Sequence, residues 1–469
     1  MEAPLDTRAG AAAEDVTLDL TALPLPLTHR IFLALPADSR GRASCVARWW
    51  RDVLADPALW TRLDLSNGIS PGIEITARRA GALLQGAAGR AHGQLREIDI
   101  ASRSANFVQP ALFEIMTANA GTLRVLRVGE AYFGAFGLLL QDLQEEDRWE
   151  MPFPVETFLA VAPLLEVLEA DVKCTLEDVM RLLEARGPLR VRNVTLYSQY
   201  NLRGVIPMGM DCDLARITPF AAALADVALQ PALSAVYIDD ARFTPEALNS
   251  LVDAVLARRL SKLHFYGCRL RAASQVTRLL SGSSLKTLKL SCTTEGELPG
   301  ERIPLFDSPG AALVANALRA NTTLTSLSFW SAGLCADVHA ATAVLAALVA
   351  HPSLRELVLS YEHDATPGAA VGAVLAAIVA ADAPALRSLS IDGDSLGDEA
   401  LTPLVAALPR NRHLRRLILA GNELSEGFMR QRLLPAVQAN TGLRTLFCAT
   451  GFGAAAEAED LVSRRGQAA

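Results

Sequence analysis

The chain has 469 residues, 51% of them hydrophobic and 20% charged, which is ample material for a buried core and excludes disorder of the whole chain. Lys plus Arg number 44 against 51 Asp plus Glu, a net charge of -7, so the overall field repels phosphate backbones and nucleic acid is not the expected main partner. Seven cysteines, Cys45, Cys174, Cys212, Cys268, Cys292, Cys335 and Cys448, lie at least 24 residues apart with no CxxC, which predicts reduced thiols rather than a disulfide framework or a zinc site.

In chain order, the opening MEAPLDTRAGAAAEDV has two acids before its first Arg and no apolar centre. It fits neither a secretory signal nor a transit peptide, and residues 1–18 are predicted to be a flexible tail. Residues 19–60 form a first unit. Pro26 can sit in the first turn of a helix in which Leu27, Ile31 and Leu35 make an apolar stripe, and Pro36 stops it. A second helix is predicted from about Ser39, with Ala43, Val46, Ala47, Trp50 and Leu54 at helical spacing, ending at Asp56 and Pro57. A helical hairpin of about 40 residues is too small to be stable without a neighbour.

Within this unit Leu23 and Pro24, Arg30 with Ile31 and Phe32, Leu35 and Pro36, Val46 and Trp50, and Leu59 and Trp60 fall in register with one family's motif. The segment resembles an F-box. The resemblance implies docking onto the Skp-family adaptor of a cullin ubiquitin ligase, with Leu23, Pro24, Leu27, Ile31 and Trp50 at the adaptor-binding positions. The alternative is that Ile31, Leu35, Val46 and Trp50 are the inner core of a cap on the repeats that follow, since terminal repeats need covering.

From Trp60 onward the pattern apolar-x-x-apolar-x-apolar recurs. Thirteen copies start at Trp60, Leu95, Leu123, Leu165, Val191, Leu233, Leu260, Leu285, Leu324, Leu354, Leu386, Leu414 and Leu443. Most intervals run from 25 to 32 residues, room for a strand, a loop, a helix and a return loop. Stretches such as PEALNSLVDAVLARR and ATAVLAALVAH between the copies are helix-compatible. Intervals of 42, 42 and 39 residues after Leu123, Val191 and Leu285 carry predicted loop insertions near 129–155, 198–216 and 291–310. The uncharged stretch from Ala365 to Ala381 is rich in Ala, too little apolar surface per residue to hold it in a bilayer, and is read as a buried helix.

The copies, with AGNELSEG after Leu419 carrying Asn422 at the usual offset, resemble leucine-rich repeats of the ribonuclease-inhibitor-like class. Most copies lack that Asn, and Cys268 or Asp394 stands near its place. The resemblance implies an α/β fold over 61–469: a curved leucine-rich-repeat solenoid with a parallel concave sheet and helices on the convex side, behind the helical F-box.

Enzyme signatures are missing. There is no GxSxG elbow and no GxxxxGK[ST] loop, and the GxGxxA of Gly451, Gly453 and Ala456 has too little chain after it for a dinucleotide unit. It is read as a turn ahead of a capping helix. His29, His92, His264, His339, His351, His363 and His413 are dispersed, so no catalytic residue, metal or cofactor is expected.

Function is expected on the outward strand positions, whose side chains a rigid scaffold orients. Tyr197, Tyr237, Asp239, His264, Tyr266, Lys289 and Trp330 fall there on neighbouring rungs, the aromatic and charged composition of an interface hot spot. Aromatic residues also pack across rungs for purely structural reasons. Arg127 and Arg416 are single cations on the same face that could read phosphate. The resemblances together imply a non-catalytic substrate-recognition subunit of a Skp-cullin-F-box type ligase. It would bind an unknown protein target in the cytosol or nucleus, with no membrane partner. The alternative is a repeat scaffold unrelated to ubiquitination.

Overall fold

Alternating apolar residues bury one side of a strand, and thirteen such strands line up here. The computed structural model describes residues 23–35, 37–64, 77–104, 109–132, 155–174, 176–184, 193–196, 210–212, 214–226, 233–239, 241–268, 273–282, 284–292, 305–330, 334–360, 368–393, 396–449 and 453–467. The strands are β1 (Arg62–Asp64), β2 (Glu97–Ser104), β3 (Val125–Tyr132), β4 (Val167–Cys174) and β5 (Asn193–Leu196). They continue with β6 (Met210–Cys212), β7 (Ala235–Asp239), β8 (Ala241–Phe243), β9 (Lys262–Cys268) and β10 (Thr287–Cys292). The last are β11 (Ser326–Trp330), β12 (Glu356–Ser360), β13 (Ser388–Asp392), β14 (Arg416–Ile418) and β15 (Thr445–Phe447).

All but β6 and β8 join one 13-stranded sheet in chain order, and every neighbouring pair in it is parallel. Each of the thirteen motif starts lies two residues ahead of one of these strands. Within a motif the first, fourth and sixth positions point inward: Leu285, Leu288 and Leu290, then Leu354, Leu357 and Leu359, are all buried. Parallel strands need crossovers, and helices such as Pro245–Arg258, Ser308–Ala320, Gly368–Ala380 and Gly397–Ala407 supply them. Thr244, Asp307, Asp337 and Ser425 each accept backbone N–H groups of the helix they precede, as N-caps do. From Gly368 to Ala380 the uncharged stretch is a helix with Val371, Leu375, Ile378 and Val379 buried. Gly453 and Ala456 of the GxGxxA lie inside the helix Gly453–Gln467 rather than in a turn ahead of it, and Gly451 lies outside the described residues. This is a leucine-rich-repeat type solenoid.

A second recurring device binds one rung to the next. Asn321, Asn411 and Asn440 are buried in the turn before a strand, three residues ahead of the leucine that starts its motif. Asn411 Nδ2 donates to the Val379 carbonyl of the preceding repeat at 2.7 Å, while its Oδ1 accepts from the N–H groups of His413 and Leu414. Asn321 and Asn440 repeat the arrangement. His351 occupies the same slot: Nδ1 accepts from the N–H of Leu354 at 3.2 Å, so Nε2 carries the hydrogen and donates to Leu318 O at 3.1 Å. Burial holds its pKa below the ordinary histidine value. After the strands, Asn422 donates to the carbonyls of Ile391, Leu419 and Ala420, and Cys268 stands in for the missing Asn by donating to Ile238 O and Tyr266 O.

The N-terminal helices are α1 (Leu25–Ala34), α2 (Ala37–Ala43) and α3 (Arg48–Val53), followed by a 3-10 turn, Pro57–Trp60. The single helix expected from Ser39 to Leu54 is therefore two. Ala47 is extended (φ -143, ψ 152) between them, and the Ser44 hydroxyl donates back to Gly41 O at 2.6 Å, local bonding that competes with helix continuation beside a glycine. Trp60 joins the module to the repeats. It is buried, its Nε1 donates to Leu54 O at 2.8 Å, and the guanidinium groups of Arg40 and Arg90 lie 5.1 and 5.0 Å from its ring centre. Arg40 also donates to the carbonyls of Leu59 and Arg62.

All three expected loop insertions contain regular structure at their ends. The stretch 129–155 begins with the last four residues of β3 and ends on the first residue of the helix Val155–Val161. The stretch 198–216 includes β6, which pairs with β8, and the start of the helix Leu214–Ala225. The stretch 291–310 begins with the last two residues of β10 and ends in the first turn of the helix Ser308–Ala320. The tail 1–18 and most of all three insertions lie outside the described residues. Among the described residues no helix is long and apolar enough to cross a membrane.

Candidate interaction surfaces

The first surface is the outer side of α1. Its buried positions are Thr28 and Phe32, with Phe32 edge-on to Trp50 at 5.6 Å between ring centres. The stripe predicted from Leu27, Ile31 and Leu35 is therefore split. Leu35 packs on the core, whereas Leu27 and Ile31 are 47% and 41% exposed. Leu25, Leu33 and Val46 are exposed as well. Of the five adaptor-binding candidates, Pro24, Leu27 and Ile31 are exposed, and Leu23 and Trp50 are half-buried. Ile31 and Val46 are thus not the inner core of a cap, as the alternative reading requires, because both face solvent.

The second surface is the concave face of the sheet. Register places Tyr237, His264, Lys289 and Ser328 in one row across β7, β9, β10 and β11. One row along, Asp239 is level with Tyr266, and Ser291 with Trp330. Tyr237 stands edge-on to His264 with ring centres 4.4 Å apart, and Tyr266 and Trp330 lie 6.1 Å apart. Both Tyr266 and Trp330 are 47% exposed. His264 is 7% exposed, so it offers a target little surface, and its buried Nε2 has no hydrogen-bond partner among the described residues. Burial first, and then the charges of Lys289 and Lys262, push its pKa down to about 3 and keep it neutral. Tyr197 lies outside the described residues, as does the side chain of Asp239.

Arg127 is not a free phosphate reader. Its guanidinium is held by Glu97 and by Glu169, the latter at 2.9 Å, with Asp99 at 3.8 Å. Asp99, Arg127 and Glu169 occupy equivalent motif positions on adjacent rungs, so alternating sign at the fifth position was the sequence signal for this cluster. The turn ladder was also missed. Its signal is an Asn three residues before the motif, which His351 interrupts. Among the described residues no group of three or more His, Cys, Asp or Glu side chains is placed to hold a metal ion.

Residues 20–66 match the family described as F-box-like, so the chain carries an F-box-like module followed by leucine-rich repeats. Among solved structures the chain is similar to a tropomodulin C-terminal domain from Caenorhabditis elegans, at 14% identity and TM-score 0.29 over 35% of this chain and 95% of that one. It is also similar to TLR13 in a complex with ssRNA13, at 12% identity and TM-score 0.32 over 77% of this chain and 40% of that one. No curated protein matches the sequence.

Proposed function

We propose that this protein is the substrate-recognition subunit of a Skp-cullin-F-box type ubiquitin ligase, working in the cytosol or nucleus. The observation that carries the reading is the set of exposed apolar side chains on the F-box-like module, Leu27 and Ile31 one turn apart on α1 with Leu25, Leu33 and Val46 also exposed. Clustered exposed apolar residues on a folded unit mark an interaction site. The module would hold the Skp-family adaptor, the concave face would hold a protein target, and ubiquitin transfer would belong to other subunits. The chain's contribution would be positioning.

The test is co-purification of the full chain with a Skp-family adaptor, wild type beside Leu27→Asp with Ile31→Asp. Stoichiometric capture by the wild type, lost in the double variant at an unchanged melting temperature, is the expected result. A folded wild-type chain that captures no adaptor would leave a repeat scaffold and end the ligase reading.

A further inference from the structure

The centre of the concave face holds two cations with no ion-pair partner among the described residues. Lys262 precedes His264 by two residues on β9, and Lys289 stands directly across from His264 on β10. Neither lysine's ammonium group makes a hydrogen bond or ion pair among the described residues. The neighbouring positions differ: Glu356 accepts from Ser326 Oγ at 2.8 Å, and farther along the face Arg127 and Arg62 are matched to Glu97. Two open ammonium groups therefore stand together on a chain whose net charge is -7. His264, level with Lys289 and two residues along from Lys262, is 7% exposed. One row farther on, Tyr266 and Trp330 form an apolar shelf.

We infer that the target segment held on this face is an unmodified acidic peptide, with an Asp or Glu carboxylate between Lys262 and Lys289 and an apolar or aromatic side chain against the Tyr266 and Trp330 rings. The inference rests on the concave face being the target-binding surface. The occupant follows from charge complementarity, since a carboxylate supplies what the two lysines lack. Carboxylate is favoured over phosphate because the outward positions of β7, β9, β10 and β11 hold no Arg, the residue whose fork grips phosphate at two points. The row holding Lys289 and the row holding Trp330 are two strand residues apart, about 7 Å. In an extended peptide the acidic residue and its apolar neighbour are then about two residues apart.

The experiment is selection of displayed random 12-residue peptides on the full chain, followed by binding of one selected synthetic peptide to wild type, to Lys262→Glu with Lys289→Glu, and to Tyr266→Ala with Trp330→Ala. Selected sequences are expected to carry Asp or Glu within about three residues of a large apolar side chain. Affinity should fall at least tenfold in each double variant, with melting temperatures as in wild type. Basic or uncharged selected sequences, no selected sequence at all, or much tighter binding when phosphoserine replaces the acidic residue would overturn the inference. Binding that needs the rings and ignores the lysines overturns it while leaving the concave face as the target site. Binding that ignores both sets moves the target elsewhere and takes that part of the functional reading with it.

Discussion

Tyr266 and Trp330 come within 6.1 Å of each other although β10 lies between their strands. Strands two apart in a sheet are separated by about 9.6 Å, so both rings lean over Ser291, the small residue level with Trp330 on the strand between. Rings that meet above the sheet contribute to the surface and little to the core. Replacing either with Ala should change stability by about 0.5 kcal/mol or less. Tyr237, half-buried and edge-on to His264, should cost about 1–2 kcal/mol on truncation. Urea unfolding of the three single variants checks this, and equal losses would mean that all three rings are structural.

The buried histidines make stability depend on pH in a defined direction. In the folded chain His351 titrates below its ordinary value and His264 near 3, whereas in the unfolded chain both titrate near 6.5. Below that value the unfolded state holds more protons, so the contribution is complete above about pH 6.5. It falls by up to ~1.4 kcal/mol per pH unit for each group as pH drops toward its folded pKa. An Asn at 351 would repeat the bonds that Asn321 makes in its own slot without taking up a proton. Between pH 7.5 and 5, His351→Asn should therefore lose less stability than wild type. Parallel pH profiles would show that His351 does not titrate with unfolding.

A methyl group at Gly372 would run into the Ala400 carbonyl oxygen of the next repeat's helix. In a helix interior Gly→Ala ordinarily stabilises by about 0.5–1 kcal/mol. Here the sign should reverse, to a loss of about 2 kcal/mol or more, because the helices Gly368–Ala380 and Gly397–Ala407 must move apart. Gly89, whose added methyl meets nothing within 4 Å, is the control and should gain stability on the same substitution.

Asn440 donates to Leu408 O and Asn411 O and accepts from the N–H groups of Gly442 and Leu443. Asn440→Ala leaves several buried backbone groups unmatched, and a loss of about 2–4 kcal/mol is expected. Denaturant unfolding measures it. A loss under about 1 kcal/mol would mean that water replaces the side chain.

The array was legible because its signal is redundant: thirteen motifs each place leucine-like residues where a strand must bury them, and every one leads into a strand of the main sheet. The split between α2 and α3 was not legible, since Val46 and Trp50 keep helical spacing across it although Val46 is 69% exposed. Periodicity reports which residues could share a face and is silent on which face meets a neighbour. The same blindness covered His264, an outward strand position that is nonetheless buried, with Tyr237 edge-on to it.

Trp60 ends the helical module and leads directly into β1, an edge strand of the sheet. A chain begun at residue 61 would therefore not be a ready-made repeat array. It would lose the ring against which Arg90 of the first repeat's helix rests and the Arg40 donor to Arg62 O, freeing polar backbone at the sheet margin. Such margins recruit other strands, so excision at this joint should yield an aggregating fragment where cutting a true linker would yield two soluble ones.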